Sequence, residues 1–172
     1  MKQEILFLKA NIQKILRNVI EIKLLLKDTH ANTQNIELDA NFSSIYNELF
    51  PLKSRSFLDH VEYCIINESN FKSNLASRIK TFMGYNQNKF MYVALSNLIT
   101  DQLGTTLSYS GKKRNRNDES KIALKTLELY KLICETARQK FVAYYSENNM
   151  ATAASSWLRH VCERLKKNCS KQ

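Results

Sequence analysis

Three glycines and one proline are all that punctuate a chain of 172 residues. Average usage would supply about twelve and about nine. A sheet-rich domain of this length needs residues that accept positive φ or a pre-set turn at many tight connections. The shortage therefore argues against a sandwich, a barrel or a glycine-looped dinucleotide fold. With 44% apolar and 24% charged residues, the chain has the content of a globular protein and not of a disordered one. The expected fold class is all-α: a coiled-coil oligomerisation helix over residues 1–28, a polar linker over 29–41, and a helical globular domain over 42–172, built as a compact bundle of about five helices.

The sharpest periodicity lies at the start. Ile5, Leu8, Ile12, Ile15, Val19, Ile22 and Leu26 follow one another at alternating steps of three and four. Ile5, Ile12, Val19 and Leu26 take heptad position a, and Leu8, Ile15 and Ile22 take position d. Glu4 at g and Lys9 at the following e are placed to pair between parallel strands. Leu16 and Leu25 widen the seam, and β-branched residues at d favour three or four strands over two. The competing reading is an amphipathic helix packed on its own domain.

After the polar stretch, Phe42, Ile45, Tyr46, Leu49 and Phe50 restore apolar density ahead of Pro51. Five helical patterns follow. The first runs through Phe57, Val61, Cys64 and Ile65, with Ser56 and Asp59 spaced as a capping box. The second runs from about Asn70 through Phe82 to a left-handed stop at Gly84. The third spans Phe90 to Leu103 and Gly104. The fourth is a long helix capped by Asp118 or Ser120 and carrying Leu124 to Phe141. The fifth, after a break at Asn148-Asn149, covers Ala151 to Lys167 with Leu158, Val161 and Leu165 facing inward. Tyr109, Tyr144, Tyr145 and Trp157 read as rim or core aromatics and not as base-stacking platforms.

The net charge is +10, which favours polyanionic partners. It is unevenly spread: residues 31–66 carry −3, residues 112–121 carry +3 and residues 122–172 carry +5. The densest run is Lys112-Lys113-Arg114-Asn115-Arg116. It leads toward the expected helix start at Ser120, where free backbone N–H groups and the helix dipole favour phosphate. Asp118 and Glu119 partly cancel that field. Arg159, Arg164, Lys166 and Lys167 form a second candidate patch. The bland alternative is a solvated charged face, which most charge runs are.

Catalytic and metal chemistry is not expected. His30, His60 and His160 are far apart, and His160 and Cys162, two residues apart on a helix, point about 200° from each other. Gly104 to Lys112 has six residues between its glycines and lacks the Ser or Thr that follows the lysine of a phosphate-binding loop. No cofactor is expected. No apolar run approaches the ~20 residues needed to span a bilayer, so no membrane partner is expected. Without a secretory signal, Cys64, Cys134, Cys162 and Cys169 are expected as reduced thiols in a cytoplasmic or nuclear protein.

Several short motifs carry a resemblance. They are Phe50-Pro51-Leu52 before the first helix, Leu58 to Ile65, the helix ending at Met83-Gly84, and Leu107-Ser108-Tyr109-Ser110-Gly111 followed by basic residues. Lys121 to Ile133 and the closing Trp157-Leu158-Arg159 with Glu163-Arg164 complete the set. Over about residues 50–167 the chain resembles the metazoan, insect-rich family called domain of unknown function 4806. Where that family usually has an aromatic before the glycine, this chain has Ser110. More loosely, it looks like the helical BEN domains of chromatin proteins. The resemblance implies a nuclear setting and a non-enzymatic role, with no catalytic residue to transfer. The resulting expectation is a nuclear homo-oligomeric interaction module that contacts DNA through the basic loop. The alternative is a scaffold that binds chromatin proteins without touching DNA.

Overall fold

A computed structural model of the chain describes residues 41–111 and 121–169. The heptad positions from Ile5 to Leu26, the linker through residue 40, and Lys112, Lys113, Arg114 and Arg116 lie outside the described residues. The chain divides into two compact units, Met1–Ser44 and Ile45–Gln172. In the first, residues 41–44 are helical.

The described residues are mostly helical, as the scarcity of glycine and proline requires. In the second unit residues 45–49 are helical, and seven α-helices follow among the described residues: α1 (Arg55–Asn67), α2 (Ser69–Lys80), α3 (Gln87–Leu98), the single turn α4 (Asp101–Gly104), α5 (Glu128–Lys140), α6 (Glu147–Arg159) and α7 (Val161–Cys169). Between α4 and α5 two short strands, β1 (Leu107–Ser108) and β2 (Ile122–Ala123), pair in parallel, with Leu107 opposite Ile122. A 3₁₀ turn over Leu124–Thr126 follows β2.

The core is a set of helical stripes. α1 buries Leu58, Val61, Cys64 and Ile65; α2 buries Phe71, Leu75 and Ile79; α3 buries Phe90, Met91, Ala94, Leu95 and Leu98. These spacings of three and four put each set on one face. α3 packs along α6, while α1 and α2 pack together and both lie against α5. Fully burying a Leu or Phe side chain contributes about 1.5–3 kcal/mol. Trp157 is 1% exposed and spends its one polar group inside the α3–α6 seam, donating from Nε1 to Ser96 Oγ at 2.9 Å. Beside it, Tyr92 OH donates to Ser156 Oγ at 2.7 Å. The segment before α1 is pinned through Leu52, whose N–H donates to Leu98 O at 2.9 Å and whose carbonyl accepts from Thr100 N at 3.1 Å.

Several sequence expectations are corrected. Ser54, not Ser56, caps α1, accepting from Phe57 N at 3.5 Å; Asp59 pairs instead with Arg55 one turn earlier at 2.9 Å. Gly84 is not left-handed: among the described residues only Gly111 has positive φ. Gly84 is required by proximity, because a Cβ there would lie 2.6 Å from the backbone nitrogen of Phe90. The third helix ends at Leu98, where extended Ile99 pairs with Leu52, and Gly104 belongs to the separate turn α4. A Cβ on Gly104 would meet Val161 Cγ2 at 3.0 Å and Trp157 at 3.2 Å. Asn148 and Asn149 sit in the first turn of α6, and the break lies at residues 141–146. The expected last helix is two helices parted at His160; α7 packs on α4 and buries Val161, while Leu158 and Leu165 are only half-buried.

Candidate nucleic-acid interface

The expected caps Asp118 and Ser120 lie outside the described residues, and over Lys121 to Leu127 the long helix does not form as expected. Ile122 and Ala123 are drawn into pairing with β1, and Leu127 N donates to Leu124 O at 3.1 Å to close the 3₁₀ turn. α5 begins only at Glu128. Its N-terminus is already occupied, because Glu62 on α1 accepts from Glu128 N at 2.7 Å and from Leu129 N at 2.8 Å. Leu127 supplies no side-chain cap, so an acidic side chain distant in sequence fills this helix start; the phosphate site expected around Ser120 lies outside the described residues. Burial holds the Glu62 carboxyl above its usual range, and the two backbone bonds oppose this. The positive end of α5 is thus filled from within.

The strand pair instead organises the ends of the basic run. Gly111 has φ 73° and its N–H donates to Ser108 Oγ at 2.9 Å. A Cβ on Gly111 would lie 3.4 Å from Lys121 O. Gly111 and Lys121, the described residues on either side of Lys112, Lys113, Arg114 and Arg116, therefore lie side by side. Lys121 and Lys125, on the return side, are exposed, and Lys125 N donates to Tyr109 O at 3.1 Å.

A cleft of about 380 Å³ opens beside this junction, lined by Tyr109, Lys125, Tyr130, Lys131, Cys134, Glu135, Arg138, Tyr145 and Glu147. The face of α5 builds its floor: Tyr130, Cys134 and Arg138 recur every four residues, with Lys131 and Glu135 one step round. Tyr109 packs edge-on against Tyr130 at 5.9 Å between ring centroids. Arg138 lies over the Tyr145 ring at 5.0 Å and pairs with Glu147 at 2.8 Å. Lys131 pairs with Glu128 at 2.6 Å. Burial pushes the Cys134 thiol and the Tyr130 hydroxyl up, so both stay protonated at neutral pH. The Tyr145 hydroxyl is sealed below the surface and has no hydrogen-bond partner among the described residues. Burial, and after it the neighbouring Cys134 thiol, pushes the Tyr145 hydroxyl up.

The second candidate patch divides. Arg159, Lys166 and Lys167 are exposed. Arg164 is turned inward: its Nε donates to Asp101 Oδ1 at 2.8 Å, Nη1 donates to Trp157 O at 3.1 Å, and the guanidinium stacks 4.5 Å from the Trp157 ring. That charge holds α7 to α4 and is not presented to a ligand. His160 forms an exposed pair with Glu163 at 3.0 Å, and this hydrogen bond pulls the Glu163 carboxyl down.

Cys64, Cys134 and Cys162 are free thiols. Among the described residues no group of three or more His, Cys, Asp or Glu side chains is placed to hold a metal ion, and no helix is long and apolar enough to cross a membrane. Sequence reasoning placed Tyr109 and Tyr145 at the rim or core but did not join them to Tyr130 and Cys134. The four-residue spacing on α5 was the available signal; the meeting with Tyr109 and Tyr145 needed the tertiary fold. Comparison of the chain with protein-family models, curated proteins and solved structures gives no match to any of them.

Proposed function

We propose that this chain is a non-enzymatic nuclear interaction module that self-associates through the Ile5–Leu26 heptads and contacts nucleic acid through its basic loop. The observation that carries this reading is the closure of Gly111 on Lys121. The two described residues that bound the run of four cations in the sequence thus lie together, and Lys121 and Lys125 are exposed beside them. Lys and Arg side chains clustered on one loop supply phosphate contacts that need no base recognition. Self-association multiplies such weak contacts through effective concentration. Lys113-Arg114-Asn115-Arg116 also fits a short nuclear-import pattern.

The test is DNA binding by the intact chain across a salt series, beside a variant with Lys112, Lys113, Arg114 and Arg116 changed to Ala. Each lost phosphate contact flattens the slope of log K against log salt by about 0.9. The fourfold variant is therefore expected to bind with a slope shallower by about three to four. No binding at low salt, or an unchanged slope, overturns the DNA assignment. Light scattering of Ile12→Asp and Ile15→Asp variants, expected to show monomers, tests self-association separately.

A second reading, a protein scaffold without DNA contact, has its own observation. The loops at 81–86 and 141–146 adjoin, since Gln87 Nε2 donates to Tyr144 O at 3.0 Å and Lys140 Nζ donates to Phe82 O at 2.7 Å. They expose Met83, Tyr85, Val142 and Tyr144, each at least 80% accessible. Tyrosine and methionine are enriched where proteins meet proteins.

A further inference from the structure

We infer that the cleft beside the basic loop accepts one unstacked base of a single-stranded nucleic acid. This deepens the nucleic-acid reading above and rests on it, using only the described residues around the cleft. Three features of the cavity support it: its size, its aromatic content and the arrangement of its charges.

A volume of about 380 Å³ lies near the lower end of the range for small-ligand sites, with room for one planar heterocycle and its sugar. Tyr109 and Tyr145 are half-buried, lie outside the helices on either side of α5, and both line the cleft. Successive bases bind such rings because every base has a π-face. Cys134, kept as a neutral thiol by burial, lines the cleft between them without adding charge.

The charges sort ligand classes. Lys131 and Arg138 are neutralised by Glu128 and Glu147, which leaves Lys125 as the cation at the loop side of the rim. Glu135 is exposed, and among the described residues its ion pair is a long one, 3.8 Å, with Lys72. A polynucleotide strand keeps its phosphates outside, near Lys125 and Lys121, and sends only a neutral base inward. A carboxylate accepts hydrogen bonds and cannot donate them, so Glu135 favours a base edge that bears an amino group. Cytosine offers such a group; thymine presents a carbonyl oxygen in its place. A base paired within a duplex cannot enter without being flipped out, at a cost of unstacking.

The experiment is fluorescence anisotropy with the full chain, using labelled twelve-nucleotide oligo-dC, oligo-dT and a mixed-sequence twelve-base-pair duplex at pH 7.5 and low salt. Oligo-dC is expected to bind more tightly than the duplex and more tightly than oligo-dT, and Glu135→Gln is expected to erase the preference over oligo-dT. Tyr109→Ala is expected to weaken oligo-dC binding about ten-fold with an unchanged salt slope, since a stacked ring carries no charge. Tyr109→Phe is expected to restore it, which separates stacking from a fold defect. Duplex binding equal to or tighter than oligo-dC, or a Tyr109→Ala variant that binds oligo-dC normally, overturns the base-accepting cleft and leaves the basic-loop reading standing. Failure of all three probes to bind at low salt overturns both.

Discussion

Glu62 offers the most informative perturbation in the folded unit. Its two carboxylate oxygens accept from the first two N–H groups of α5 at 2.7 and 2.8 Å, across 66 and 67 residues of sequence. Leu127 at the cap position gives α5 no side-chain acceptor of its own. Glu62→Ala leaves both donors without that partner and removes a tie between α1 and α5. Hydrogen bonds to a charged group are worth about 1.5–3 kcal/mol each, and loss of a helix cap costs about 0.5–2 kcal/mol. Water reaches this half-buried site, and burial of the carboxylate offsets part of the gain, so the net loss is expected near 2 kcal/mol. For a unit of this size that lowers Tm by about 5–10 °C. Glu62→Gln keeps one carbonyl acceptor without the buried charge, and is expected to lose about half as much.

The pH dependence of Glu62 has a definite sign. Burial raises its folded pKa above the ordinary 4.5. The native state therefore holds the proton to higher pH than the unfolded chain. The proton-linked part of its contribution is therefore complete below the ordinary value and is lost as pH rises through the folded value, while the two backbone bonds still cap α5 at pH 7. Thermal melts by circular dichroism at pH 4, 5.5 and 7 should show the advantage of wild type over Glu62→Gln narrowing with pH. A Glu62→Ala protein melting within about 2 °C of wild type at pH 7 refutes the cap as a stabilising element. A gap that widens with pH refutes burial as the dominant influence on this carboxyl.

Urea unfolding should separate the two closely packed glycines. Gly84→Ala, which drives Cβ to 2.6 Å from the backbone of Phe90, is expected to cost about 3 kcal/mol, whereas Gly104→Ala, which meets only side chains of Val161 and Trp157, should cost about 1 kcal/mol. Equal costs would mean that the chain around Phe90 yields as readily as a side chain. Arg164→Ala is expected to lower stability by about 1–3 kcal/mol through loss of the Asp101 and Trp157 contacts, with no change in the salt slope of DNA binding. A flatter slope would place Arg164 among the phosphate ligands.

The helical class was legible because it depends on local chemistry. Few residues were available for positive φ, and apolar side chains recurred at three and four, so stripes such as Phe71, Leu75 and Ile79 could be read one segment at a time. Helix ends were less legible. Ser54 and Ser56 are equivalent as caps by composition, and the extended backbone at Ser54 decides between them. The start of α5 was not readable at all, since its acceptor is Glu62 and its upstream residues are diverted into a strand pair with Leu107 and Ser108.

The candidate site divides in the same way. Lys112, Lys113, Arg114 and Arg116 announce themselves by adjacency, because charge density along the chain is a one-dimensional property. Whether a cation is available depends on what lies opposite it. Arg164 and Lys125 are equally basic in the sequence, yet one is held by Asp101 and Trp157 while the other is exposed at the rim of the cleft. By itself the sequence determined the helical class, the apolar stripes and the place of the basic run, all set by spacings within a few turns. Only the tertiary structure decided which helix end is filled, which arginine is spent inside, and that Tyr109, Tyr130 and Tyr145 share one cleft, because those outcomes rest on contacts between segments that local periodicity does not encode.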